Sequence, residues 1–143
     1  MREMEEKIYV ELKNDLSEIE RLSQIVTEFG ELHHLPPKGL FAVNLALEEI
    51  LTNVISYGYQ DSGEHQIIIR IFLKEGELTV KVEDDGLPFN PLEVPEPDTG
   101  KPLEERPVGG LGIHLVRNLM DGLEYRRQEG KNVLVMKKKA RGI

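Results

Sequence analysis

The residues best suited to chemistry fall in three short stretches. In Leu45–Tyr59 a carboxylate and an amide, Glu49 and Asn53, lie four residues apart. That spacing makes side chains neighbours on one flank of a helix. A carboxylate beside a metal-bound phosphate takes a proton from a hydroxyl or a water. Magnesium needs only one protein oxygen when phosphates and waters complete its shell, so a single asparagine suffices. Asn44 and Glu48 repeat the spacing in the reverse order on another flank. Periodicity does not choose between the pairs, and solvated helix surface is the usual fate of such residues.

The second stretch is Glu77–Asp84. Leu78, Val80 and Val82 share one face of a strand, and Asp84 is the next residue on it. A buried carboxylate needs a donor, because leaving it unpaired is costly. The donor is either a backbone N–H of the following Asp-Gly turn or a ligand group such as the exocyclic amine of adenine. Gly86 permits close approach of a ligand to the backbone. The third stretch is Gly109-Gly110-Leu111-Gly112, which opens a helix and leaves N–H groups facing an anion, with the helix dipole behind them. Glycine-rich turns also serve geometry alone. No Gly-Lys-Ser/Thr follows, so this is not a P-loop. No strand directly precedes it, so it is not a dinucleotide fingerprint. Arg106 is placed either to meet a phosphate or to pair with Glu104 or Glu105 on the surface. His33, His34, His65 and His114 show no metal-ligand spacing and are assigned to the surface or the core edge.

Several elements must position these residues. Lys7–Leu12 alternates and reads as a short edge strand. Asn14-Asp15 offers caps for a helix from about Leu16 to Leu32, burying Leu16, Ile19, Leu22, Val26 and Phe29. Pro36-Pro37 starts the next helix, whose stripe is Leu40, Val43, Leu47, Ile50 and Val54. Gly58 ends it. Gln66–Lys74 and Glu77–Asp84 form a hairpin about Glu75-Gly76. Leu87–Pro107 holds six of the eight prolines, so it sustains neither helix nor strand. It reads as a lid or as a plain surface excursion. A helix Leu111–Met120 follows, then a hairpin of Gly122–Gln128 with Asn132–Lys138. Strands and helices mix without regular alternation, which predicts an α+β, two-layer sandwich: a mainly antiparallel sheet with helices on one face.

At 143 residues the chain is expected to be a single domain, 1–143, with one core. Its net charge of −8 argues against a general nucleic-acid binder, which needs basic surface. The Lys137–Lys139 run reads as a solvated strand end. The lack of cysteine excludes disulfides and thiolate metal sites, and fits a reducing compartment. No leader and no apolar run long enough to cross a bilayer is evident. The expectation is a soluble, cytoplasmic protein with no membrane partner.

In order and spacing these stretches resemble the GHKL ATPase superfamily. EILTN is similar to its N box, with Glu49 and Asn53 matching Glu-x-x-x-Asn. VEDDGLPFNP resembles the G1 box through Asp84 and Gly86, and RPVGGLGIHLV the G2 box. The pattern runs from Ala42 to about Met120. A strand and a helix before the N box, and a closing hairpin, resemble the anti-sigma factor serine/threonine kinase branch. The resemblance implies a Bergerat fold with a mixed sheet and ATP between its layers. It favours Glu49 and Asn53 over Asn44 and Glu48. It implies that Asp84 receives the adenine amine, with Gly86 and Pro88 beside it, and that Asn53 holds Mg²⁺. Glu49 would activate a partner's hydroxyl. Leu87–Pro107 would be the ATP lid, and Arg106, Gly109, Gly110, Leu111, Gly112 and Ile113 would bind nucleotide. The branch resemblance also implies a homodimer, typical of this branch, that binds a sigma factor or phosphorylates a STAS-domain anti-anti-sigma protein. A nucleotide-dependent binding module without phosphotransfer is the alternative. Two positions depart from the pattern: Tyr57 stands where many of these kinases have His, and Pro88 replaces the second glycine of the G1 box.

Overall fold

The computed structural model describes residues 6–93 and 110–139. The elements, in order, are β1 (Glu6–Lys13), α1 (Glu18–Leu32), α2 (Pro37–Tyr57), β2 (Gln66–Lys74) and β3 (Glu77–Asp84). A 3₁₀ turn, Pro91–Glu93, precedes α3 (Gly110–Leu119), β4 (Gly122–Gln128) and β5 (Lys131–Lys139) among the described residues. The five strands form one sheet in the order β1-β2-β3-β5-β4. Every pairing in it is antiparallel, where the family pattern implies a mixed sheet.

Two hairpins set the register. Glu75 and Gly76 take φ of 52° and 79°, and Glu129 and Gly130 take 53° and 78°. Two-residue turns with both φ positive match the twist of the strands they join. The second turn thus spans two residues and β5 begins at Lys131, one residue earlier than the pattern predicts.

The register lines up one apolar face. Val10 opposes Ile69, Ile69 opposes Val82, and Val82 opposes Leu134. These residues pack with Leu22, Val26 and Phe29 of α1, with Val43, Leu47, Ile50 and Leu51 of α2, and with Ile113 and Val116 of α3. Burying each such side chain fully is worth about 1.5–3 kcal/mol. The row then changes character, for the next pair on the same face is Asp84 opposite Asn132, both buried. A polar pair adds no such gain and persists only if hydrogen-bonded.

Two expectations need correction. Leu16 is not buried but 53% exposed, because α1 starts at Glu18. Asp15 Oδ1 accepts from Ser17 N (2.9 Å) and Ser17 Oγ (2.8 Å), which closes a turn ahead of the helix. Asn14 is no cap either; it binds the loop before β2. Second, α2 is long and apolar enough, by length and composition, to cross a bilayer. Its inward residues pack in the core and its flanks carry Asn44, Glu48, Glu49 and Asn53, so it is a core helix.

Candidate functional site

The polar end of the apolar row opens into a cavity of about 290 Å³. Ile50 and Val54 of α2, Val82 and Leu134 of the sheet, and Leu87, Pro88, Phe89 and Pro91 after β3 give it an apolar lining. Asn53, Asp84 and Asn132 give it its amide and carboxylate groups, and the tyrosines Tyr57 and Tyr125 also line it. An apolar recess with few placed polar groups is the usual form of a small-molecule site.

Asp84 is 5% exposed. Its Oδ1 accepts from Gly86 N and from Asn132 Nδ2, each at 2.9 Å. Burial pushes its carboxyl above the usual range, against the pull of those two donors. Oδ2 takes part in neither bond. The turn donor weighed from sequence is therefore real, and it leaves an acceptor for a ligand's N–H. Gly86 is required here: a Cβ would lie 2.5 Å from the carbonyl oxygen of Gly58, which also accepts from Leu87 N at 2.7 Å.

Asn132 and Tyr125 were not legible as site residues. Asn132 Nδ2 also donates to Leu87 O (2.8 Å), and its Oδ1 accepts from Tyr125 Oη (2.5 Å) and Phe89 N (3.2 Å). One asparagine thus ties β5 to Asp84 and to the start of the proline-rich segment. Arg127 adds a bond to Gly86 O at 2.8 Å. The signal for Asn132 was its place two residues past the Gly130 turn, but only the β3–β5 register reveals its partner.

On α2, Asn53 Nδ2 donates to the carbonyl of Glu49 at 2.8 Å. A carbonyl accepts only, so this bond fixes the amide orientation and leaves Oδ1 an acceptor with no partner among the described residues. That is what an oxygen-seeking cation such as Mg²⁺ requires of a lone protein ligand. No group of three or more acidic, His or Cys side chains that could hold a metal occurs among the described residues. With one amide oxygen to offer, Asn53 fits a cation whose other ligands are phosphates and waters.

Glu49 is half-buried but does not line the cavity. Its carboxylate packs against Gly112 near the start of α3, where a Cβ would overlap its Oε2. Gly112 and Ile113 lie in the first turn of α3, with Ile113 fully buried. Gly110 and Leu111 open that helix. Arg106, Gly109 and the 94–107 part of the expected lid lie outside the described residues. Leu87 and Phe89, at its root, are anchored by the bonds to Gly58 and Asn132. Asn44 and Glu48 face away from the cavity, toward α1 and solvent.

Comparison with known proteins bears on this arrangement. Residues 12–138 match the histidine kinase-like ATPase domain, and the chain belongs to that family. It is similar to the serine-protein kinase RsbW of Bacillus mycoides (strain KBAB4), 34% identical over 66% of this chain and 61% of that protein. RsbW of Bacillus cereus (strain AH820) is 35% identical over the same shares. The chain therefore spans less than two thirds of the length of these relatives. Among solved structures, the RsbU and RsbW domains of a Mycobacterium tuberculosis protein superpose with a TM-score of 0.67 at 12% identity, covering 94% of this chain and 32% of that one. The histidine kinase domain of a blue-light activated histidine kinase of Erythrobacter litoralis gives 0.56 at 18%, covering 87% and 60%. These likenesses define a GHKL-type α+β fold.

Proposed function

We propose that this chain is an ATP-dependent serine/threonine protein kinase of the anti-sigma type. One observation carries the reading. A buried carboxylate, Asp84, ends the apolar row in the lining of a recess that α2 also lines with Asn53, whose Oδ1 has no partner among the described residues. In this reading Asp84 accepts the adenine amine, with Gly86 and Pro88 shaping the turn beside it. Asn53 Oδ1 is the protein ligand of Mg²⁺. The Gly109–Ile113 stretch and Arg106 meet the phosphates. Mg-ATP would supply the phosphoryl group: the acceptor hydroxyl oxygen would bond to the γ-phosphorus as the bond to the β,γ-bridging oxygen breaks and ADP leaves, with Glu49 taking the hydroxyl proton. The acceptor is a Ser or Thr of a STAS-domain anti-anti-sigma protein, and a sigma factor is the second partner. The chain works as one domain over residues 1–143, as a homodimer in the cytoplasm, without direct contact to nucleic acid or membrane. Membership in the ATPase family and the RsbW relatives support this reading.

A second reading is favoured by the placement of Glu49 against Gly112, outside the recess. It is a nucleotide-dependent binding module that holds its regulator without phosphotransfer. Labelled ATP with a STAS-type partner separates the two. Transfer to a Ser or Thr of the partner is expected of the kinase. Partner capture that follows Mg-ATP, with no label transferred to any cognate protein, would replace it with the second reading.

A further inference from the structure

A smaller cleft, of about 250 Å³, opens beside Asp84 and is lined in part by Glu64, His65, Glu83, Asp85 and Lys131. Sequence spacing assigns His65 only to the surface or core edge. Its ring lies between two carboxylates: Nε2 is 2.8 Å from Asp61 Oδ1, and Nδ1 is 3.2 and 3.4 Å from the two oxygens of Asp85. The ring stacks on Tyr59, with centroids 4.3 Å apart and planes 16° apart. Its backbone is held as well. His65 N donates to Asn14 Oδ1 at 2.9 Å, and Asn14 N donates to His65 O at 3.1 Å.

A neutral imidazole has one N–H, so it serves one carboxylate as donor; only the imidazolium serves both. Asp85 has no other cation bonded to it among the described residues, since Lys131 pairs with Glu83 at 3.7 Å. Asp85 is also the residue between Asp84 and the Gly86 N–H that holds Asp84 Oδ1. Pinning Asp85 therefore sets the turn that orients the buried carboxylate, and cancels a like charge beside it.

We propose that His65 is a positioning residue for Asp84: its protonated ring, clamped between Asp61 and Asp85, pre-organises the Asp84-Asp85-Gly86 turn for the nucleotide base. This rests on the nucleotide reading above. The bond to Asp61 first, and that to Asp85, hold the His65 pKa above its ordinary value, against burial. Asp61 and Tyr59 from the loop after α2 and Asp85 from the turn after β3 contact the ring, and Glu64 of that loop, Glu83 of β3 and Lys131 of β5 line the same cleft. The clamp is complete below the unfolded His pKa and is lost as pH rises through the raised folded value. Asp61 and Asp85 side chains are 66% and 49% exposed, so solvent screens the pairs and the effect is small.

The test is Mg-ATP titration calorimetry from about pH 6 to pH 9, where an imidazole changes charge. His65→Gln is expected to weaken binding roughly two- to fivefold at the acid end, and the difference from wild type should vanish at the alkaline end. Comparing the two proteins cancels the nucleotide's own titration. In an Asp85→Asn background the His65 change should have no pH-dependent effect. Independently of nucleotide, NMR of the ring should show the His65 pKa falling in Asp85→Asn; this arm also serves if His65→Gln does not fold. A loss that is equal at every pH, or an unmoved ring pKa, overturns the proposal alone. A wild type that binds no Mg-ATP at any pH overturns the nucleotide reading and this one together, whatever the ring titration shows.

Discussion

Two flanks of α2 carry the same residue types at the same spacing and meet different surroundings. On one, Asn53 turns its amide to the Glu49 carbonyl and presents Oδ1 to a recess that also holds Asp84. On the other, Asn44 Nδ2 donates to Thr27 Oγ1 of α1 at 3.2 Å, and its Oδ1 is buried with no partner among the described residues. Glu48 is exposed. The groove on that side, lined by Leu16, Ile19 and Phe41 among others, has about 570 Å³, more than the recess. Volume therefore does not mark the site. The difference is what stands opposite. The Asn53 flank overlooks the point where the β3–β5 row turns from Val82–Leu134 to Asp84–Asn132; the Asn44 flank overlooks another helix.

The sharpest break of this contrast is at the carboxylates. Glu49→Ala should lower phosphotransfer to a STAS-type partner by roughly 10²–10⁴-fold, the usual share of a positioned general base, with Mg-ATP affinity little changed. Glu48→Ala should leave transfer intact. Equal losses from both would dissolve the distinction between the flanks.

Asp84→Asn comes next. The oxygen of the new amide would still accept from Gly86 and Asn132, but an N–H would replace Oδ2 and oppose the adenine amine. Losing a hydrogen bond to a charged group is worth about 1.5–3 kcal/mol, so Mg-ATP affinity should fall roughly 10- to 100-fold. The fold should respond in the opposite direction. Burial raises the Asp84 pKa, so its stability contribution is complete below the unfolded value and declines as pH rises through the folded one. The amide does not titrate. Thermal melts without nucleotide should show the variant gaining on wild type between about pH 3 and pH 7, across the carboxylate range. A variant that melts lower by the same margin at both ends would count against the burial argument.

Much of this was readable from the chain. Strand alternation placed Asp84 on the apolar face, because period two is a local property. The turn at Gly76 was readable from local turn residues, and that at Gly130 to within one residue. Asn132 was not, since its partner Asp84 is 48 residues away and the pairing depends on which strand lies beside β3. The choice between the α2 flanks was hidden likewise: helical spacing says which residues are neighbours, not which neighbours meet the sheet. Leu16 fits a helical stripe, yet the Asp15–Ser17 turn ends the pattern before the helix begins.

Gly112→Ala tests the Glu49 flank more gently. The added methyl would meet Glu49 Oε2, the far end of a flexible side chain, so the fold should survive while the carboxylate moves. Displacing a reacting group by a fraction of its length costs up to about 10²-fold; roughly tenfold slower transfer is expected, with an unchanged melting curve. Slower transfer accompanied by a large drop in melting temperature would instead make Gly112 a packing residue.

The smallest effect belongs to the other flank. Asn44 Oδ1 is buried and unpartnered among the described residues, and a buried acceptor without a donor costs about 1–3 kcal/mol. Leucine has nearly the same branching and no such atom. Asn44→Leu gives up the bond to Thr27, worth about 0.5–1.5 kcal/mol, and the threonine hydroxyl can turn back to a carbonyl of its own helix. The balance favours the variant by up to about 1 kcal/mol, and a domain of this size then melts roughly 2–4 °C higher. Transfer and Mg-ATP affinity should not change, whereas the same substitution at Asn53 should remove magnesium-dependent binding. A lower melting temperature for Asn44→Leu would mean that an ordered water completes Asn44, and the two asparagines would then differ in what they hold rather than in whether they hold anything.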